Sequence, residues 1–274
     1  MQIHSISKAL SFPLLVLAGC FLYRIFVSPF ESDSIYILIP VVLLVCLYVF
    51  HGPLDHWWLT KYPIKFDDKL RDWLTKYFNP YTLLSEDAKK LFENHMTLYM
   101  EGRLFQSVGS EHRDVPHDIQ CMVAAHGLIL TLNRKDYLMG DMDRIFLYKH
   151  PFPTPKHQYL HNVEVDTEDG VIILSLEQLT NAVLYPQDYY NVGYHAYAEA
   201  FVATQKDIIY PDVVDSWPDI EAITGWSKEQ ILSQTGMKEL SLIPVHITIY
   251  FSFAEKYKAI NPERYQSFKS IFGR

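Results

Sequence analysis

The chain opens with two long apolar runs, Ala9–Val27 and Ile35–Phe50. A helix that crosses the hydrocarbon core of a bilayer needs about 20 predominantly apolar residues. Neither run shows the polar face that a surface helix of a soluble domain carries. The short polar segment between them, Ser28–Ser34, is typical of a tight turn. The pattern therefore predicts a hairpin of two transmembrane helices over residues 1–51.

Charged residues beside the two runs predict its orientation. Lys8 precedes the first run, and the turn carries Glu31 and Asp33. Four basic residues follow the second run, namely Lys61, Lys65, Lys69 and Arg71. Because cytoplasmic flanks carry an excess of Lys and Arg, both ends of the hairpin are expected to face the cytoplasm. Residues 52–82, rich in aromatic and basic side chains, are predicted to form a juxtamembrane linker.

One alternative for the amino terminus stays open. The segment Leu17–Cys20 is similar to the cleavage site of a bacterial lipoprotein, with Lys8 as its charged start. In that case Cys20 would carry lipid, and the body of the protein would lie outside the cytoplasm. The hairpin is favoured because the second apolar run requires a membrane in either case.

The body of the chain, residues 83–274, mixes helical periodicity with short strand-like runs, which predicts an α+β domain that is mainly helical. Ser85 is typical of a helix N-cap, and Gly102 ends that helix. Pro116–Leu132 is apolar nearly all round and predicts a central core helix, in which His126 is expected to be a hydrogen-bonded core residue. Strands are predicted at Arg144–Lys149 and Gly170–Ser175, and further helices after Ser175, Asn191, Ser227 and Pro262. Leu240–Tyr257 favours a helix, but Pro244 and the β-branched residues leave a strand open.

Two segments of the body are expected to be loops. His157 and His161 fall in a stretch broken by several prolines, so they are interpreted as loop residues. Residues 207–226 are rich in Pro, Asp and Trp and are expected to form a loop that could cover a site.

Composition and charge argue against one class of partner. The net charge is −8, and all of it lies beyond the first 50 residues. An acidic body argues against a nucleic-acid partner, which needs a basic surface. The three cysteines, Cys20, Cys46 and Cys121, show no metal-ligand spacing and no disulfide framework, which is consistent with a reducing compartment.

The candidate chemistry lies in Asn191–Phe201. On a helix, His195 and Glu199 are four residues apart and project from one face. Zinc-binding helices present two ligands at this spacing, as His-Glu-x-x-His. Here Ala196 stands where the general-base Glu would be, and Glu199 stands in place of the second His. A His four residues before a Glu is also common as a surface pair, worth about 0.3–0.5 kcal/mol.

The order of these elements resembles the Mlc titration factor A family of zinc-dependent peptidases over roughly residues 83–272. The stretches that carry the resemblance are Leu84–Leu91, Met122–Asn133, Ile145–Phe152, Gly170–Ser175, Asn191–His195 and Asn261–Tyr265. The resemblance implies a zincin-like fold and a bacterial source. It also implies zinc held by the two motif His and by a Glu from a later helix, with the motif Glu moving a proton from zinc-bound water.

Only His195 carries over from that pattern directly. Glu199 could bind zinc through oxygen. The third ligand falls on Thr248 in an ungapped alignment and on Glu255 if a gap is allowed, and His246 would point away from Thr248 on a helix. The candidate metal ligands are therefore His195, Glu199 and Glu255. An Asp that follows the motif in the family falls on Val202.

Three hypotheses follow. The favoured one is a pseudopeptidase on the cytoplasmic face of a bacterial inner membrane. It would have lost zinc and would bind a protein or peptide partner in its former active-site cleft. The second is an active metallopeptidase with a non-standard site, in which His246 could replace Glu255 as a ligand and a new base would come from Asp207, Asp212 or Glu221. The third is a purely structural membrane protein.

Overall fold

The computed structural model describes residues 5–27, 35–109 and 114–273. The chain divides into two compact units, Met1–Lys65 and Phe66–Arg274. The turn predicted at Ser28–Ser34 lies outside the described residues.

The first unit contains the two apolar runs. Its helices are α1 (Ile6–Val27), α2 (Leu38–Val49) and α3 (His51–Lys61). Of the described helices, α1 alone is long and apolar enough to cross a membrane by itself; α2 passes the same test together with α3, which is bent from it by 70°. One candidate span therefore agrees with the sequence, and the second span stays a prediction.

Within this unit α1 and α2 run antiparallel. At one end the rings of Phe21 and Tyr36 stack at 6.4 Å. At the other end, Asp55 of α3 accepts hydrogen bonds from the hydroxyl of Ser5 at 2.9 Å and from the amide and hydroxyl of Ser7 at 2.8 and 2.6 Å. Asp55 thereby caps the start of α1, because it satisfies donors that have no partner inside the helix. The chain thus returns to the amino-terminal end of α1.

The second unit begins with three helices, α4 (Asp68–Tyr77), α5 (Asn79–Thr82) and α6 (Glu86–Glu101). Asp67 and Ser85 cap α4 and α6 by accepting hydrogen bonds from backbone amides two and three residues later. The helix predicted after Ser85 is present. Residues 66–82, expected to belong to a linker, contain the helices α4 and α5, and buried side chains of α4, such as Leu70 and Leu74, join the core of this unit.

A four-stranded sheet forms the β part of the unit. Its strands are β1 (Leu104–Val108), β2 (Arg144–Tyr148), β3 (Val163–Asp166) and β4 (Val171–Ser175). The order across the sheet is β1-β2-β4-β3, and β3 is antiparallel at one edge. The strands predicted as β2 and β4 are present. β1 and β3 were not predicted, because runs of five and four residues with polar members give too little periodic signal.

The remaining helices are α7 (His117–Thr131), α8 (Leu176–Leu184), α9 (Val192–Thr204), α10 (Trp217–Thr224), α11 (Lys228–Thr235), α12 (Leu242–Ser252), α13 (Ala254–Ile260) and α14 (Pro262–Phe272). α10 interrupts the loop predicted at 207–226. α9 lies at the centre and packs against α7, α12 and the strands β3 and β4. The close packing of α7 against α9 requires a glycine at position 127, because a Cβ on Gly127 would lie 2.6 Å from the ring of Tyr197.

Candidate functional site

The candidate site lies on the buried helix α9. Asn191 caps this helix by accepting a hydrogen bond from the amide of Tyr194 at 3.0 Å. His195 is fully buried and Glu199 is 31% exposed, and both side chains lie on one face as the spacing predicts. Ala196 is fully buried as well. Its methyl group cannot accept a proton, so the position of the general base is chemically inert.

Nε2 of His195 and Oε1 of Glu199 are 3.4 Å apart. Nε2 is buried, and within the described part of the chain it has no hydrogen-bond partner. Two ligands bound about 2.1 Å from one tetrahedral zinc ion would be about 3.4 Å apart. The pair therefore keeps the separation of two metal ligands, although the residue types have changed.

The other ring nitrogen of His195 meets a residue that the sequence did not indicate. The hydroxyl of Tyr190 lies 2.7 Å from Nδ1 of His195. Tyr190 is fully buried and also hydrogen-bonds Thr248, and burial raises the pKa of Tyr190 well above its usual value, so the phenol keeps its proton. No periodic or motif signal in the sequence marks Tyr190, which precedes the N-cap of α9.

The contacts of His195 are compatible with either neutral tautomer. If Nε2 carries the proton, Nδ1 accepts a hydrogen bond from the Tyr190 hydroxyl, and Nε2 faces Glu199 at 3.4 Å without a formed hydrogen bond. If Nδ1 carries the proton, it donates to the Tyr190 oxygen, and Nε2 presents the unprotonated nitrogen that a metal ligand needs.

The structure does not bring a third ligand to this pair. Thr248 lies beside Tyr190, and its hydroxyl donates to the carbonyl of Pro244 at 2.8 Å. Glu255, the candidate from the gapped alignment, is exposed on α13. Among residues 5–27, 35–109 and 114–273, no group of three His, Cys, Asp or Glu side chains is placed to hold a metal ion.

His246 belongs to a separate buried network. Its Nε2 lies 2.7 Å from the hydroxyl of Ser216, and its Nδ1 lies 2.7 Å from the hydroxyl of Tyr257. Burial, as the main cause, lowers the pKa of His246 to about 3, so the ring stays neutral near pH 7. Both ring nitrogens are engaged, and His246 is not available as a ligand beside His195.

The candidate replacement bases are placed as follows. Asp212 accepts a hydrogen bond from the amide of Val214 at 2.9 Å. Glu221 lies exposed on α10, and Asp207 lies exposed in the loop after α9. The described contacts join none of the three to His195 or Glu199.

Taken together, these residues do not fit a catalytic zinc site. Such a site needs three protein ligands and a group that accepts a proton from bound water. Two oxygen or nitrogen donors are correctly spaced here, the third ligand is absent from the described residues, and Ala196 supplies no base. The local chemistry supports hydrogen bonding rather than activation of water.

The other core histidines have structural partners. His126 is fully buried, as expected for a core residue: Nδ1 donates to the carbonyl of Met122 at 2.7 Å, and Nε2 accepts from Asn191 at 3.1 Å. Burial lowers the pKa of His126 to about 4. His161 is also fully buried, with Nε2 2.9 Å from the carboxylate of Glu164. That pair ties the proline-rich loop to β3.

A known protein family matches the segment of the chain that carries the motif. The model of a family described as glucose-regulated metallo-peptidase M90 matches residues 55–201. The match includes His195, Ala196 and Glu199 and ends before α12, where the third ligand would lie. No curated protein matches the chain significantly.

Proposed function

From the premise that this chain belongs to the glucose-regulated metallopeptidase family M90, we propose that it is a zincin-like protein without peptidase activity that acts as a membrane-anchored binding or regulatory module. This family is that of Mlc titration factor A, so the family expected from the sequence is confirmed. The match covers residues 55–201 of 274.

One observation carries the loss of hydrolysis: His195 and Glu199 have no third ligand beside them among the described residues, and Ala196 occupies the position of the general base. Loss of a general base costs about 10²–10⁴-fold in rate. Loss of a ligand weakens the hold on the metal that would generate the nucleophile. The fully packed helix α9 remains, so the fold is kept while the chemistry is removed.

Anchoring to the membrane rests on the first unit. α1 is long and apolar enough to span a bilayer, and α2 runs back along it. A bacterial inner membrane with the body on the cytoplasmic side completes the proposal, because basic residues flank both ends of the hairpin.

The alternative, a metallopeptidase with a non-standard site, is favoured by the 3.4 Å separation of His195 and Glu199. Metal content separates the two functions. The full chain in lipid nanodiscs, purified from zinc-supplemented cells, would be measured by elemental mass spectrometry beside His195→Ala. The matched control is His117→Ala, since His117 is exposed on α7.

We expect far less than one zinc per chain in all three proteins. Zinc near one equivalent in the wild type and in His117→Ala, lost in His195→Ala, would overturn the proposal and establish a metal site.

A further inference from the structure

A cleft of about 820 Å³ opens in the second unit, at the amino-terminal end of α9. One wall comes from the turn between α4 and α5 and from the start of α6, and the other from α12, α13 and α14. Neither His195 nor Glu199 lines it. The cleft is therefore distinct from the altered metal site, and its volume lies in the range of roughly 300–1,000 Å³ that holds small ligands.

The floor of the cleft is aromatic. The rings of His126 and Tyr194 meet edge to face at 4.6 Å, and Phe78 meets His126 in the same way at 5.4 Å. Tyr194 in turn stacks on Phe251 at 5.5 Å. Phe78, His126 and Tyr194 are almost fully shielded from water and form the apolar base of the cleft, while the half-buried ring of Phe251 is the one that an apolar group can reach directly.

Neutral hydrogen-bonding groups surround this floor. Asn79 and Asn133 each use one end of the carboxamide inside the protein: Oδ1 of Asn79 accepts from Thr82, and Nδ2 of Asn133 donates to Phe272. The opposite end of each carboxamide has no partner in the part of the chain that the structure describes. Gln187 lines the cleft as well.

One unpartnered group in the wall is buried. The hydroxyl of Ser252 is shielded from solvent and makes no hydrogen bond to any described residue. A buried polar atom without a partner destabilises the empty site, so a ligand that bonds it gains affinity. Together with the two asparagines, Ser252 provides donors and acceptors around an apolar floor.

Charge and exposure define the mouth. Glu255 and Lys256 are adjacent, exposed and of opposite sign, so they leave the mouth without net charge. Leu83, 76% exposed, and Tyr77 form an apolar part of the rim. Exposed apolar side chains beside a cleft mark an interaction site.

We propose that this cleft binds an uncharged apolar peptide segment of a partner protein. An aromatic or leucine side chain occupies the aromatic floor, and Asn79, Asn133 and Ser252 bond the peptide backbone. A peptide fits because it alternates amide and apolar groups, and carboxamides both donate and accept. An acyl chain would leave these polar groups unpaired. The inference rests on the proposed role as a binding module and names the site of that binding.

The test uses fluorescent hexapeptides with capped ends that carry Phe and Leu between Gly and Ser residues. A matched set replaces Phe and Leu by Lys or Glu. Binding to the full chain in nanodiscs is followed by fluorescence anisotropy. The Phe/Leu peptides are expected to bind saturably and the charged peptides at least about tenfold more weakly.

Two variants locate the binding. Leu83→Glu places a charge on the rim and is expected to weaken binding about tenfold, while Leu160→Glu, at an exposed leucine (64%) that does not line the cleft, leaves affinity unchanged. Ser252→Ala tests the buried hydroxyl and is expected to weaken binding about fivefold. Circular dichroism confirms that each variant is folded.

Equal affinity for neutral and charged peptides, or equal effects of Leu83→Glu and Leu160→Glu, would overturn the inference. A phospholipid or fatty acid found by native mass spectrometry, and displaced by Leu83→Glu alone, would replace the peptide by a lipid. These outcomes are separable from metal content: stoichiometric zinc overturns the proposed function, whereas absent zinc with no peptide binding overturns the cleft assignment alone.

Discussion

The hydroxyl of Tyr190 lies 2.7 Å from Nδ1 of His195, and both side chains are fully buried. This contact orients the imidazole from the side opposite Glu199. In a metal site, a partner on the second ring nitrogen fixes the ligand's orientation. Here the Tyr190 hydroxyl contacts both the imidazole of His195 on α9 and the side chain of Thr248 on α12, and so links the two helices.

Replacing Tyr190 tests whether this network is structural. Tyr190→Phe leaves Nδ1 of His195 buried without its partner, so the free energy of unfolding should fall by about 1–3 kcal/mol. Urea unfolding of the full chain in nanodiscs, followed by tryptophan fluorescence, measures it. Tyr185→Phe is the matched control, because Tyr185 is exposed and should change stability by less than about 0.5 kcal/mol. Equal effects of the two variants would show that the contact contributes nothing.

Restoring the absent metal ligands and the general base tests whether the site on α9 can still form a zinc site. Ala196→Glu, Glu199→His and Thr248→Glu together restore the motif and a third ligand next to Tyr190. The combined variant is expected to hold about one zinc per chain, because the spacing on α9 already suits two ligands. Elemental mass spectrometry gives the readout. The same variant with His195→Ala should hold none, and zinc in neither protein would mean that Thr248 is not at the ligand position.

The loss of folding stability at acid pH should depend in part on His126. Its pKa is lowered from 6.5 to about 4 in the folded protein, so the unfolded chain takes up the proton first. The full stability is present above pH 6.5 and is lost as the pH falls from 6.5 to about 4, at up to about 1.4 kcal/mol per pH unit. His126→Gln should reduce this slope by up to about 1.4 kcal/mol per pH unit without abolishing it, because His246, whose pKa is lowered to about 3, takes up a proton on unfolding in the same range; urea midpoints between about pH 7 and pH 4.5 measure the change. His117→Gln, at an exposed position, should leave the slope as in the wild type; an unchanged slope in His126→Gln would contradict the assignment.

Membrane topology is tested by labelling. Single cysteines at Lys8→Cys and Lys61→Cys, with the three native cysteines changed to Ala, should react with an impermeant maleimide only after the inner membrane is disrupted. The contact of Asp55 in α3 with Ser7 in α1 places the two flanks on the same side, and the proposed topology places that side in the cytoplasm because basic residues flank both ends. Labelling of Lys61→Cys alone in spheroplasts would contradict a hairpin. Intact mass of the wild type, with or without lipid on Cys20, decides the lipoprotein alternative.

Local pattern was sufficient for several features. Apolar run length indicated α1, capping residues indicated α6, α8 and α11, and β-branched runs indicated β2 and β4. The four-residue spacing alone places His195 and Glu199 on one face, because helix geometry fixes that relation. Short strands such as β3 were missed, since four residues give little periodicity.

The surroundings of that face depended on tertiary packing. The sequence left Thr248 and Glu255 as alternatives for the third ligand; packing of α12 against α9 places Thr248 beside Tyr190, while Glu255 is exposed at the mouth of the cleft. Tyr190 as the partner of His195, and the cleft itself, likewise arise from contacts that no local pattern specifies. The sequence determined which side chains the central helix α9 presents on one face. The packing of distant helices determined that Tyr190 and Thr248, and not a third metal ligand, lie beside that face. Sequence could not decide this, because residue periodicity carries no information on which elements become neighbours.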